Sequence, residues 1–181
     1  KIYHIDSSAR KAESVSKSLA KLLVDKIKKP SDTVKYRDVS IGLPFVSGIK
    51  GAGFIIPENE RTEADKKLFK ISDELVKEFK ECDTLVISAP IYNFGVPACL
   101  KAWFDLIARN GETFNYTEKG PVGIITNIKK AYLLIVSGGV PVNSPVDFCT
   151  PWLKQALNFL GVSNIEIIAA DSLNRDPQKI E

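Results

Sequence analysis

Hydrophobic positions along this chain fall into two alternating periods. Short apolar or alternating runs at residues 1–5, 33–37, 84–89, 131–137 and 163–170 read as strands. Between them lie stretches of helical spacing. Residues 14–28 place Val15, Leu19, Leu22, Leu23 and Ile27 on one face, and residues 61–82 do the same with Leu68, Ile71, Leu75 and Phe79. Residues 98–108 carry Leu100, Trp103, Phe104 and Ile107, and residues 152–160 carry Leu153, Ala156, Leu157 and Leu160. Strands that alternate with helices, and that are apolar on both sides, predict an α/β fold: a doubly wound, five-stranded parallel sheet with helices on both faces. Two insertions interrupt the rhythm. Residues 41–57 are glycine-rich and apolar (Leu43, Phe45, Val46, Phe54, Ile55, Ile56), and residues 110–121 contain Phe114, Asn115 and Tyr116 as a small hairpin. Such loops form a lid, a binding wall or a subunit contact, or else pack on their own domain.

Composition narrows the function class. At 181 residues with 44% hydrophobic and 26% charged, the chain reads as one globular domain spanning residues 1–181. Its formal net charge of +3 is too small to argue for nucleic acid, and its basic residues alternate with acidic ones. No apolar run approaches a membrane span, and Lys1 begins a strand rather than a signal peptide. Three widely spaced cysteines, Cys82, Cys99 and Cys149, favour reduced thiols in the cytoplasm over a disulfide framework or a zinc site.

Three strand-end loops carry the candidate chemistry. In an open parallel sheet such loops share one edge, where ligands bind. After the first strand come Ser7, Ser8, Ala9 and Arg10, then Ser14, Val15 and Ser16 opening a helix. Free amides, the positive end of the helix and the hydroxyls suit a phosphate, with Arg10 as a further charge; helix capping by Ser14 accounts for the same serines. After the third strand come Pro90, Ile91, Tyr92, Asn93, Phe94, Gly95, Val96 and Pro97. The prolines stiffen this loop, Gly95 allows the tight turn, and its aromatics and Asn93 suit a flat, polar-edged heterocycle or pack on the following helix. After the fourth come Ser137, Gly138 and Gly139, either for close approach to a ligand or for a tight turn. The chain has neither a GxGxxG fingerprint nor a Walker lysine motif. The only histidine, His4, lies inside the first strand and reads as a core residue. With no nucleophile–histidine set and no metal-ligand spacing, a cofactor is expected to carry the chemistry.

The segments APIYNFGVPACLKAW (89–103), RNGETFNYTEKGPVG (109–123) and TPWLKQALNFLGVSNIEIIAADSL (150–173) are similar to the FMN-dependent NADH:quinone oxidoreductase/azoreductase family, on a flavodoxin-like fold. The resemblance runs from the first strand to Leu173. It implies tightly bound FMN, NADH or NADPH as electron donor, and ping-pong transfer of two electrons to quinones or azo compounds. It assigns Ser8 and Ser14, Val15 and Ser16 to the FMN phosphate. Ile91, Tyr92, Asn93 and Phe94 then meet the isoalloxazine, where backbone amides reach its polar edge. Ser137, Gly138 and Gly139 lie near its pyrimidine side. It further implies a homodimer with active sites at the interface, the two insertions walling each pocket partly from the second subunit. The chain departs from the family pattern at Ser137, where arginine is frequent, and at Ile91, where methionine is. An electron carrier of flavodoxin type is the competing class, disfavoured because such proteins are strongly acidic; an NAD(P)H:FMN reductase is the alternative enzyme.

Overall fold

The computed structural model describes residues 1–46 and 56–174. Its five strands of parallel sheet are β1 (Ile2–Asp6), β2 (Val34–Asp38), β3 (Thr84–Pro90), β6 (Lys130–Val136) and β7 (Ile165–Ala170). They lie side by side in the order β2-β1-β3-β6-β7, each pair parallel. The helices are α1 (Val15–Ile27), α2 (Glu63–Glu81), α3 (Ala98–Ile107) and α4 (Cys149–Leu160). The doubly wound five-stranded sheet expected from the pattern is therefore present. Strand order reverses between β1 and β3, which puts the ligand crevice of such a sheet at their carboxyl ends.

Burial explains why these elements form. On one face Tyr3, Ile5, Leu85, Ile87, Leu133 and Ile135 pack against Phe79 of α2, Trp103 of α3 and Leu157 of α4. On the other, Ile2, Val86 and Leu134 meet Ala20 and Val24 of α1. Trp103 anchors the larger layer, its ring 5.8 Å from that of Phe79. Side chains cap the starts of α1 and α2. Ser14 accepts from the Lys17 amide at α1, and Thr62 with Asp65 forms a capping box at α2.

One helix boundary differs from the sequence reading. Helix α4 begins at Cys149 instead of at residue 152, because Pro151 sits in the first turn, where its missing N–H costs nothing. The hairpin expected in the second insertion is present as β4 (Phe114–Thr117) and β5 (Gly120–Gly123). In the first insertion Leu43, Val46 and Ile56 pack on the core, while Ile41 and Phe45 are exposed. Phe54 and Ile55 lie outside the described residues. Among the described residues no helix is long and apolar enough to cross a membrane.

Candidate functional site

The carboxyl ends of β1, β3 and β6 open onto one cleft of about 160 Å³. Ser8, Arg10, Ser14, Val15, Ser16, Pro90, Ile91, Tyr92, Ser137 and Gly138 line it. Of the sequence-predicted residues, Asn93, Phe94 and Gly139 sit beyond this lining, the first two on an exposed turn beside it. Val136, Leu173 and Asn174 complete the walls and were not foreseen.

The β1 end is built on a buried carboxylate. Asp6 accepts from Ser88 Oγ at 2.5 Å and from Tyr36 at 2.9 Å, and its Oδ1 lies 3.1 Å from His4 Nε2. Burial alone would raise this carboxyl, but the bonds from His4, Ser88 and Tyr36 outweigh it and hold it below the usual range. His4 is thus a buried structural partner, as its place in the strand predicted. One residue on, Ser7 Oγ donates to the Ser88 carbonyl at 2.7 Å, so the first and third loops leave the sheet at a fixed spacing.

The mouth of α1 offers unspent donors. Among the described residues the Val15 and Ser16 amides have no acceptor, and Ser14 Oγ and Ser16 Oγ lie 3.2 Å apart beside them. The Arg10 side chain is exposed and makes no ion pair among the described residues. Hydroxyls, free amides and an exposed cation near a helix start form a set suited to a phosphate.

The β3 loop turns differently from the sequence expectation. Asn93 and Phe94, not Gly95, take the left-handed conformation, with φ of +49° and +69°. Tyr92 and Gly95 exchange two backbone bonds of 3.1 and 3.0 Å across them, a two-residue turn of the mirror-image type. The turn leaves the Asn93 and Phe94 amides without an acceptor among the described residues. Left-handed backbone at a bulky residue costs free energy, and such positions gather at functional sites. Tyr92 points its hydroxyl back to the first loop, 3.3 Å from Ser8 Oγ and 3.2 Å from the Ala9 amide.

The β6 loop closes the cleft from the other side. Ser137 Oγ accepts from the Gly139 and Val140 amides at 3.2 and 2.8 Å, which closes a tight turn. A Cβ on Gly138 would lie 2.6 Å from Asn174 Nδ2, so a larger residue here would push the Asn174 side chain aside. That segment is held by Leu173 and Asn174 amides donating to the Ser137 and Gly138 carbonyls. Sequence reasoning also passed over Asp147 and Phe148. The buried Asp147 carboxylate accepts from the Asn143, Cys149 and Thr150 amides, capping α4. An aspartate just ahead of a proline in a first helical turn is a readable cap signal. Phe148 donates its amide to the Phe94 carbonyl at 2.9 Å.

The donor set fits a phosphate-bearing heterocycle: free amides and hydroxyls at one end, outward amides and exposed aromatics at the other, and a glycine wall between. Among the described residues no group of histidine, cysteine and carboxylate side chains could hold a metal ion.

A family model described as the flavodoxin-like fold matches residues 1–181. The chain is 54% identical over 180 residues to an FMN-dependent NADH:quinone oxidoreductase of Pelagibacter ubique, covering 99% of this chain and 93% of that one. It is 46% identical over 182 residues to FMN-dependent NADH:quinone oxidoreductase 1 of Hahella chejuensis, covering 99% and 89%. Among solved structures it resembles an azoreductase from Bacillus anthracis, with a TM-score of 0.83 and 30% identity over 99% of this chain and 90% of that one.

Proposed function

The chain belongs to the flavodoxin-like family of FMN-dependent NADH:quinone oxidoreductases, and from that premise we propose how its own residues carry out the activity. It is an FMN-dependent oxidoreductase that takes electrons from NADH or NADPH and delivers two of them to quinones or azo compounds. When bound, FMN supplies the hydride chemistry, with donor and acceptor using the same site in turn. The observation that carries this reading is a pair of unspent donor sets at one sheet edge: the Val15 and Ser16 amides in the cleft lining, and the Asn93 and Phe94 amides on the turn beside it.

In this reading Ser8, Ser14, Val15 and Ser16 hold the phosphate by hydroxyl and amide donors, and Arg10 folds over it as a mobile counter-charge. Pro90, Ile91 and Tyr92 form the wall against which the ring lies. The Asn93 and Phe94 amides face its polar edge, where negative charge grows on reduction, and fixed donors there favour the charged form. Ser137, Gly138 and Gly139 close the pyrimidine side. No side chain of this set need be an obligatory acid or base, so substitutions act chiefly through cofactor binding and positioning.

Residues 1–181 act as one domain, and the working protein is a homodimer whose exposed loops wall each other's clefts. The cytoplasm suits three free cysteines, two of them buried with thiols pushed up to about 12 by desolvation. The deciding experiment is an absorbance spectrum after FMN addition and desalting, followed by NADH and then benzoquinone. Flavin bands that persist, bleach with NADH and return with quinone are expected. Bands that persist but stay oxidised under NADH would favour an electron carrier, and absence of bands would overturn the cleft assignment.

A further inference from the structure

We propose that Asp147 is a positioning residue for the cofactor edge: through the Phe148 amide it holds the Asn93–Phe94 turn in its left-handed form. This inference rests on the FMN reading above for its consequence, but not for its geometry. The turn contains two non-glycine residues at positive φ, and one of them is phenylalanine. Such a conformation is disfavoured by the clash of Cβ with backbone, so the surroundings must hold it. The two bonds between Tyr92 and Gly95 close the turn from within. From outside, the Phe94 carbonyl accepts the Phe148 amide at 2.9 Å. Phe148 is in turn immobilised by its neighbour. Asp147 is 3% exposed; its Oδ1 accepts from the Cys149 and Thr150 amides at 2.9 and 3.0 Å, and its Oδ2 from the Asn143 amide at 2.8 Å.

These bonds tie three things together: the start of α4, the 143–147 segment and the β3 turn. The carboxylate lies outside the cleft lining, so it acts only through Phe148. Loss of its charge loosens the 143–149 segment, frees the Phe94 carbonyl and lets the turn relax away from positive φ. The Asn93 and Phe94 amides then lose their aim. Donors aimed at the ring edge stabilise reduced FMN more than oxidised FMN, because the added charge appears there. A loosened turn therefore lowers the reduction potential. A carboxylate that merely caps a helix changes stability and leaves the potential where it was.

The test compares wild type, Asp147→Asn and the double variant Asp147→Asn/Phe94→Gly. Glycine after Asn93 adopts the turn without support, so it restores the aim that the anchor supplied. In the FMN-loaded protein, Asp147→Asn is expected to lose about tenfold in preference for reduced over oxidised FMN, roughly 30 mV for a two-electron couple. The double variant is expected to recover most of that shift. An unchanged potential, or a shift that Phe94→Gly does not relieve, overturns the proposal. A second measurement needs no cofactor: in ligand-free Asp147→Asn the Gly95 amide is expected to exchange at least tenfold faster, with the Ile87 amide of β3 unchanged. Unaltered protection at Gly95 overturns the proposal by itself. Failure of wild type to bind FMN would sink the functional reading and leave this exchange test standing. If Asp147→Asn does not fold, Asp147→Ser keeps a cap for α4, drops the bond to Asn143 and carries the same two measurements.

Discussion

At the scale of single residues, the informative positions are those that break a local preference. Asn93 and Phe94 both stand at positive φ, and the sequence reading put the flexibility at Gly95, the residue type built for it. That misplacement has a physical origin. Gly95 closes the turn as an edge partner of Tyr92, so its small size was visible while its conformation was set by tertiary context. Asparagine tolerates the left-handed region better than alanine, because its amide bonds locally. Asn93→Ala is therefore expected to raise the FMN dissociation constant about tenfold, since roughly 1–2 kcal/mol of turn stability must then come from binding. Fluorescence quenching of FMN on titration with the variant measures this directly; an unchanged constant and unchanged turnover would remove the turn from the site. Ser14→Ala separates the two roles that its sequence position left open. Loss of the cap alone costs about 1 kcal/mol of stability. If the cleft holds a phosphate, FMN affinity falls while affinity for riboflavin, which lacks the phosphate, does not; equal losses for both would leave Ser14 a cap only.

At the scale of elements, the parts of the fold set by periodicity were readable and the parts set by contact were not. The apolar face of α2, with Leu68, Leu75 and Phe79 buried, follows from spacing alone. So does β6, because a strand covered on both sides must be apolar throughout. The start of α4 was set three residues late, since Pro151 looks like a boundary until Asp147 is seen capping the turn. The bond between Phe148 and Phe94 joins two loops far apart in sequence through backbone atoms, which leaves no trace in residue type. The same holds for Leu173 and Asn174, whose amides close the cleft over the β6 loop. The hairpin offers a sharp packing test. A Cβ on Gly123 would lie 2.2 Å from the Gly161 nitrogen and the Leu160 carbonyl carbon, backbone atoms that cannot swing aside. Gly123→Ala is expected to destabilise the protein by about 1–3 kcal/mol or undock the hairpin, read from the urea midpoint. A wild-type midpoint would mean that the hairpin does not rest on the end of α4.

At the scale of the whole molecule, two buried or half-buried carboxylate clusters tie the sheet to its cover. Asp6 joins β1 to β2 and β3, and Glu78 of α2 accepts from Tyr3 and Arg37 and pairs with Lys35. For both carboxyls, as for Asp147, burial pushes upward but the hydrogen bonds and cations prevail, so all three stand below their ordinary values. Groups depressed in the folded state stabilise it fully above the ordinary carboxylate range and lose that contribution as pH falls through their folded values. Urea midpoints of the ligand-free protein should hold near neutrality and fall below about pH 4, with Asp6→Asn flattening the fall. The proposed assembly draws on where the hairpin sits. It rests on the carboxyl end of α4, where the Ile125 amide donates to Leu160, whereas the cleft lies at the amino end beside Phe148. A 12-residue helix separates the two by about 18 Å. The exposed Tyr116 and Val122 therefore lie away from the cleft of their own chain, and like the exposed Phe45 and Phe148 they remain large apolar groups in water. A second copy that brings its hairpin to this cleft would cover both sets at once. Light scattering of the FMN-loaded protein is expected to give about twice the 20.0 kDa chain mass. Tyr116→Asp with Val122→Asp should yield a monomer with raised KM for the quinone, and a monomeric wild type with full quinone turnover would refute the shared cleft.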